Sequence, residues 1–154
     1  MRGSAARRRH ELSKVLIVDD DPANVELLRR YLEDSVDEIR CVTESRLVER
    51  AFADFEPDLI LLDLHMPDPD GLELLRRLRG ARLSMGFVPV IVITADLGHV
   101  ARNSALILGA DEFMTKPFDR AEVVLRVRNL LRTRHLYVEL VRANEILRRR
   151  ADEG

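Results

Sequence analysis

The sequence predicts a doubly wound α/β fold: five parallel strands in the order 2-1-3-4-5, alternating with helices, the last helix extended well past the sheet. Three observations carry that expectation. Apolar runs at residues 15–18, 59–62 and 90–93 have no polar break, as expected of strands buried on both faces in a parallel sheet. The stretches between them repeat apolar residues at helical spacing, and strand–helix alternation with right-handed crossovers gives a parallel sheet. The polar residues suited to chemistry, Asp19, Asp20, Asp63, Thr94 and Lys116, all fall where strands end, the edge at which open α/β sheets place their sites.

Each element has a local reason. Residues 14–19 form a strand ending in Asp19, Asp20 and Asp21. Pro22 suits a first helical position, which makes Asp21 the N-cap of a helix reaching about Ser35 with Val25, Leu28 and Leu32 on one face. A second strand covers 38–43. A helix over 45–55 turns Leu47, Val48, Ala51 and Phe52 inward and stops before Pro57. The third strand, 58–63, delivers Asp63 to the loop His65-Met66-Pro67, which closes at Asp70-Gly71. Asp70-x-x-Glu73 is a capping box opening a helix with Leu72, Leu75 and Leu78 inward, Arg76, Arg77 and Arg79 outward, and Gly80 near its end. Residues 88–94 are the fourth strand, with Pro89 tolerable near its start. A helix follows from about Gly98 to Gly109, then a short strand over 111–115 and Lys116-Pro117-Phe118. A second capping box, Asp119-x-x-Glu122, opens a helix with no clear stop before Arg150. Its receiving face is Val123, Val124, Val127 and Leu131.

Composition narrows the class. The 154 residues are 46% apolar and 34% charged, ordinary for one globular domain with a core of its own. A net charge of −2 argues against general nucleic-acid binding, and no apolar run approaches the roughly 20 residues of a membrane span. One cysteine, Cys41, excludes an internal disulfide and a thiolate cluster and fits a reducing, cytoplasmic setting; it reads as a small core residue. Residues 1–13 read as a disordered basic arm without a signal-peptide core, with nucleic-acid contact through Arg7, Arg8 and Arg9 a lesser alternative.

With strand 1 central, strands 1, 3, 4 and 5 are neighbours, so their end residues converge on one crevice. A lone acid after a strand is usually a cap, and Asp21 reads so; Asp19 and Asp20 together exceed what one cap needs. Carboxylates about 4 Å apart repel by roughly 4 kcal/mol per pair at an effective dielectric near 20. Lys116 alone cannot offset three of them, whereas a hard divalent cation such as Mg²⁺ can. A carboxylate nucleophile, a cation, an ammonium and a hydroxyl together make a phosphoryl-transfer site.

At this point the chain resembles the receiver domain of two-component response regulators. The resemblance rests on Asp19-Asp20, Asp63 with Met66-Pro67 and Asp70-Gly71, Thr94-Ala95, and Lys116-Pro117-Phe118, and covers about residues 14–131. It carries the flavodoxin-like strand order with it. It implies that Asp63 accepts a phosphoryl group from a phosphohistidine on a sensor histidine kinase or phosphotransfer protein. It further implies that Asp20, Asp63 and the backbone carbonyl of His65 ligate Mg²⁺, with Asp19 acting more through water. Lys116, before a cis proline bond, would pair with phosphoryl oxygens, Thr94 would be the switch hydroxyl and Phe113 the rotating aromatic. His65 and Asp96 occupy the variable rim positions that tune phosphoryl lifetime in this family. The imidazole of His65 reads as a solvated rim group. Phe113 lacks the hydroxyl that a tyrosine would bring there.

The expected organisation is thus a basic arm (1–13), a receiver (14–132) and a helical extension or linker (133–154). Leu136, Leu140, Ala143 and Leu147 in that extension are spaced 4, 3 and 4, as in a heptad seam, which predicts a homodimer through the C-terminal helix, the 98–131 surface, or both. A helix folded back on its own domain is the alternative. The tail is similar to linkers that join receivers to output domains, but no output-enzyme motif is present. A haloacid-dehalogenase-like phosphatase would carry a second acid two residues after Asp63, where this chain has His65. A flavodoxin-type carrier would need a Ser/Thr/Gly phosphate loop where Asp19-Asp20-Asp21-Pro22 stands. A pseudo-receiver scaffold is countered by the complete acid set. The reading is therefore a phosphorylation-controlled switch, not an enzyme in its own right, that binds neither nucleic acid nor membrane directly.

Overall fold

A computed structural model describes residues 13–95 and 98–154; residues 1–12 of the expected basic arm and Asp96 lie outside the described residues, whereas Ser13, expected in that arm, is buried, its amide and hydroxyl donating to Asp37 at 2.8 and 3.0 Å. Five strands, β1 (Lys14–Val18), β2 (Glu38–Val42), β3 (Leu59–Asp63), β4 (Val90–Thr94) and β5 (Glu112–Thr115), form one sheet. The order is β2-β1-β3-β4-β5 and every pair is parallel, as the sequence predicts. The helices are α1 (Pro22–Leu32), α2 (Val48–Phe55), α3 (Gly71–Ser84), α4 (His99–Ile107) and α5 (Arg120–Asp152).

Strand alternation sorts the core into two layers. Val15, Ile17, Leu59, Leu61, Ile91 and Ile93 face α1 and α5, meeting Val25, Leu28, Leu32, Val123, Val127 and Leu131. Leu16, Val18, Ile60, Leu62, Val90 and Val92 face the other way, onto α2, α3 and α4 through Val48, Phe52, Phe55, Leu74, Leu75, Leu78 and Ala105. Both faces of β1, β3 and β4 are therefore covered, which is why their sequences lack polar breaks.

The three aspartate caps form as expected: Asp21 accepts from the Ala23 amide, Asp70 from that of Glu73 and Asp119 from that of Glu122. Glu73 does not return the capping bond; its carboxylate holds Arg76 and Arg77. Several boundaries differ from expectation. The first helix closes at Leu32, whose carbonyl takes the amides of Ser35 and Val36 in a turn. Residues 45–47 wind as a 3₁₀ turn, and its tighter pitch leaves Leu47 half exposed instead of inward. In α3, Leu74 joins Leu75 and Leu78 as fully buried while Leu72 packs partly buried against the same core, and the helix runs four residues past Gly80, where Leu78 and Arg82 hold the last turn. The β4 ladder begins after Pro89, which has no amide to give but accepts from Ile60. Cys41 is half-buried on β2, at the edge of the sheet, where it packs against the margin of the core, and burial pushes its thiol up.

The 33-residue α5 leaves the sheet behind after its third turn. The contact nevertheless continues one turn past Arg132: the buried Arg134 guanidinium donates to the carbonyls of Met85 and Phe87 at 3.0 and 3.1 Å and lies 3.4 Å from Asp58. From residue 139 onward every residue of the helix is exposed.

Candidate functional site

The carboxyl end of the sheet carries a cluster of acids placed by two loops. Asp19 follows β1, and its amide bonds to the Val42 carbonyl of β2 at 3.2 Å. One of its carboxylate oxygens accepts from the Asp21 amide at 2.9 Å, which leaves the other aimed inward. Asp63 is the last residue of β3; its Oδ1 accepts the His65 amide at 2.9 Å. Both are almost wholly buried, at 1% and 3% exposure, while Asp20 is exposed at the rim. One ligand atom from each of Asp19, Asp20 and Asp63 can be chosen so that all lie within 4.8 Å of one another.

Lys116 enters from the end of β5. Its amide is held by the Thr94 carbonyl at 2.9 Å, and the Lys116–Pro117 peptide is cis, as expected. Its Nζ bridges Asp19 Oδ2 and Asp63 Oδ2 at 3.0 Å each. Burial alone would depress this ammonium, but the hydrogen bonds to Asp63 and Asp19 prevail and hold it above its ordinary value. Burial raises the Asp63 carboxyl above the usual carboxylate range, against the pull of the His65 amide and Lys116, and the charge of Asp19 adds to the rise. Three carboxylates against one ammonium leave a surplus of negative charge.

The approach of α3 is set by a glycine. A Cβ on Gly71 would meet the Leu64 Cα and lie 2.5 Å from the Asp63 carbonyl oxygen, so the helix start can reach the acid loop only without a side chain. The Gly71 amide seals this approach on the Leu64 carbonyl at 3.0 Å. Thr94 is fully buried at the end of β4, beside the cluster's third strand. Phe113, on β5, is half-buried against the α4 layer with the Arg102 guanidinium 5.3 Å from its ring centre. The His65 side chain is exposed at the rim.

The structure thus brings Asp19, Asp20, Asp63 and Lys116 together at one crevice, with Thr94 and His65 on the adjoining loop and strand ends. The donor set is all oxygen, suited to a hard cation such as Mg²⁺ and unsuited to a soft metal. Sequence reasoning missed Ser45, whose buried hydroxyl donates to the Pro67 carbonyl at 2.9 Å in the acid loop. It also missed two buried arginines at the opposite end of the sheet. A signal existed for those: Arg82 continues the inward Leu74, Leu78 stripe of α3, and Arg134 continues Val127 and Leu131 on α5.

Comparison with known proteins places this arrangement. The model of the response regulator receiver domain matches residues 15–128. The transcriptional regulatory protein TrcR of Mycobacterium tuberculosis is 37% identical over 119 residues, covering 77% of this chain and 45% of that protein. The virulence transcriptional regulatory protein PhoP of Salmonella choleraesuis is 35% identical over 121 residues, 79% of this chain and 53% of that one. The chain therefore spans about half the length of these relatives, both of which are named as transcriptional regulators. Among solved structures, the signal receiver domain of a Luxo repressor protein from Vibrio parahaemolyticus has a TM-score of 0.76 at 26% identity, covering 85% of this chain and 98% of that one. A response regulator from Chloroflexus aurantiacus gives 0.71 at 30%, covering 79% and 98%. Receivers generally bind Mg²⁺ in an acidic pocket, which the Asp19, Asp20 and Asp63 cluster matches, and work with histidine kinases or phosphotransfer proteins. No described helix is long and apolar enough to cross a membrane. On its fold, its matched length and its relatives, the chain belongs to the response regulator receiver domain family.

Proposed function

We propose that this chain is a phosphorylation-controlled switch in which Asp63 accepts a phosphoryl group from a phosphohistidine of a sensor kinase or phosphotransfer protein in the cytoplasm. The observation that carries the reading is the bridge of Lys116 between Asp19 and Asp63 inside a cluster whose charge it cannot balance. An Asp63 carboxylate oxygen attacks phosphorus; the P–O bond forms as the P–N bond to imidazole breaks, and the released imidazole takes a proton from water. Asp20, Asp63 and the His65 carbonyl would hold Mg²⁺, with Asp19 supporting the site. The ion supplies neutralisation of charge on the transferring oxygens. Lys116 pairs with a phosphoryl oxygen, and Thr94 donates its hydroxyl to another, drawing β4 toward the site. Phe113 then packs inward, and the surface over residues 98–131 carries the change. His65 at the rim, together with Asp96, two residues beyond Thr94 in the sequence, sets how readily water reaches the acyl phosphate. The chain assists its own phosphorylation and dephosphorylation.

Incubation with acetyl phosphate, with and without EDTA, followed by intact mass, tests this. A Mg²⁺-dependent phosphate adduct is expected on the wild type and none on Asp63→Asn; an equal adduct on both overturns the assignment. Amide NMR with beryllofluoride should move the 98–131 surface, and changes confined to the acid loop would contradict the switch.

The same reading includes a homodimer through α5. Leu136, Leu140 and Leu147 are 60–61% exposed, on the helix side away from the stripe that Val127, Leu131 and Arg134 bury. Leu140→Glu with Leu147→Glu tests this without removing the Arg134 anchor. In sedimentation equilibrium, a wild-type dimer and a double-variant monomer are expected; two monomers at tens of micromolar, even with beryllofluoride, overturn the coiled coil.

A further inference from the structure

We propose that Ser45 is a positioning residue for the metal-binding loop, an inference that rests on the phosphorylation site described above and extends it to the β2–α2 connection. Ser45 lies on the 3₁₀ turn after β2 and is only 6% exposed. Its hydroxyl donates to the Pro67 carbonyl at 2.9 Å, across 22 residues of sequence. Pro67 stands two residues past His65, whose carbonyl is assigned to the metal, and the neighbouring Met66 is buried in the core with Val42, Val48 and Phe52. Three residues before Ser45, the Val42 carbonyl takes the amide of Asp19.

One short stretch, residues 42–45, therefore touches both acid-bearing loops. Val42 fixes the Asp19 backbone, and Ser45 fixes the backbone that follows Asp63 and His65. A proline has no amide with which to tie itself down, so this part of the loop is held through its carbonyl. The bond is local to neither loop. It sets their separation, and that separation is what a cation shared between Asp20, Asp63 and the His65 carbonyl senses, because Mg²⁺ tolerates little departure from its preferred geometry. Groups that orient metal ligands from the outer shell typically change affinity by 10–100-fold when removed. Ser45 acts through two intervening residues, so the low end of that range applies.

Titration calorimetry with Mg²⁺ on the full chain is the test, with acetyl phosphate kinetics beside it. Ser45→Ala should weaken Mg²⁺ about tenfold. It should raise by the same factor the Mg²⁺ concentration needed for half-maximal phosphorylation, leaving the rate at saturating Mg²⁺ unchanged. Ser45→Thr, which keeps a hydroxyl, should recover most of the affinity. Thermal unfolding without metal should change little in Ser45→Ala, since a bond that merely stabilised the turn would lower the melting temperature with and without Mg²⁺ alike. Equal Mg²⁺ affinity in wild type and Ser45→Ala overturns the proposal while leaving the phosphorylation site intact. A lower saturating rate with unshifted Mg²⁺ dependence overturns it as well. A wild type that takes up no Mg²⁺ overturns both readings together.

Discussion

The two ends of the sheet both bury charge, and they handle it in opposite ways. At the amino end, Arg82 lies 3.4 Å from Asp111 and donates to the carbonyls of Val88 and Gly109 at 3.0 Å each. Arg134 lies 3.4 Å from Asp58 and donates to Met85 and Phe87. The two acids are themselves tied to strand starts, Asp111 by the Val90 amide at 2.8 Å and Asp58 by that of Lys14 at 3.0 Å. Each of these four charges has a counter-charge and at least one backbone partner. At the carboxyl end, Asp19 and Asp63 share one ammonium, and Asp20 adds a third carboxylate beside them. A balanced set clamps β-strand starts, the α3–β4 turn and α5 together. An unbalanced set leaves a surplus of negative charge, which suits a hard cation. Burial alone does not mark a functional site; the residual charge does.

The largest effect that tests this contrast is Lys116→Met. Phosphorylation of Asp63 by acetyl phosphate should fall by about 10²–10³, as when one preorganised electrostatic donor is lost. Without metal the variant should also unfold more easily, because Asp19 and Asp63 then repel unopposed, and Mg²⁺ should restore it. Arg134→Met at the other end should cost about 3 kcal/mol in urea unfolding, the scale for removing one partner of a buried pair. Mg²⁺ should leave that deficit untouched, and phosphorylation of the folded variant should match wild type. Equal responses of the two variants to Mg²⁺ would erase the distinction between the ends.

Two glycines on α3 sharpen it further. Gly71→Ala forces a Cβ against Leu64 and the Asp63 carbonyl, and overpacking of that kind costs about 1–3 kcal/mol. It should also slow phosphorylation, since Asp63 must shift. Gly80→Ala meets nothing within 4 Å and lies inside the helix, so it should stabilise by roughly 0.5–1 kcal/mol with no change in phosphorylation. Equal stabilities for the two variants would show that the close approach at Gly71 is not binding on the loop.

Much of this was legible in the residues. Uninterrupted apolar runs gave the buried strands, and the acids and lysine at their ends gave the crevice, because strand order brings those ends together. The N-caps at Asp21, Asp70 and Asp119 were readable as local chemistry. What escaped had non-local causes. Leu47 fits helical periodicity, but the 3₁₀ turn leaves it half exposed, and Leu74 is fully buried beside the expected Leu75 and Leu78. The hydroxyl of Ser45 reaches Pro67 only once β2 and β3 are placed on either side of β1, and no spacing in the sequence encodes that. Arg82 and Arg134 were visible as charges on apolar stripes, yet their partners come from loops far along the chain.

The smallest predicted effect concerns the amino-end clamp and pH. Burial lifts the Asp111 carboxyl above its ordinary value near 3.8, outweighing the Val90 amide and the charge of Arg82, while burial likewise depresses Arg82. The folded chain then binds the Asp111 proton more tightly than the unfolded chain does. Stability from this group accordingly falls as pH rises from about 3.8 through the folded value. Asp111→Asn keeps an oxygen for the Val90 amide but does not titrate, and Arg82 keeps its two carbonyls. Relative to wild type, the variant should therefore gain as pH rises from about 4 to about 7, by roughly 1–2 °C in melting temperature. Differential scanning fluorimetry of both proteins across that range reads the effect. A difference that stays constant with pH, or that moves the other way, would mean that the Arg82 pairing dominates Asp111 and that the clamp, too, depends on net attraction between its charges.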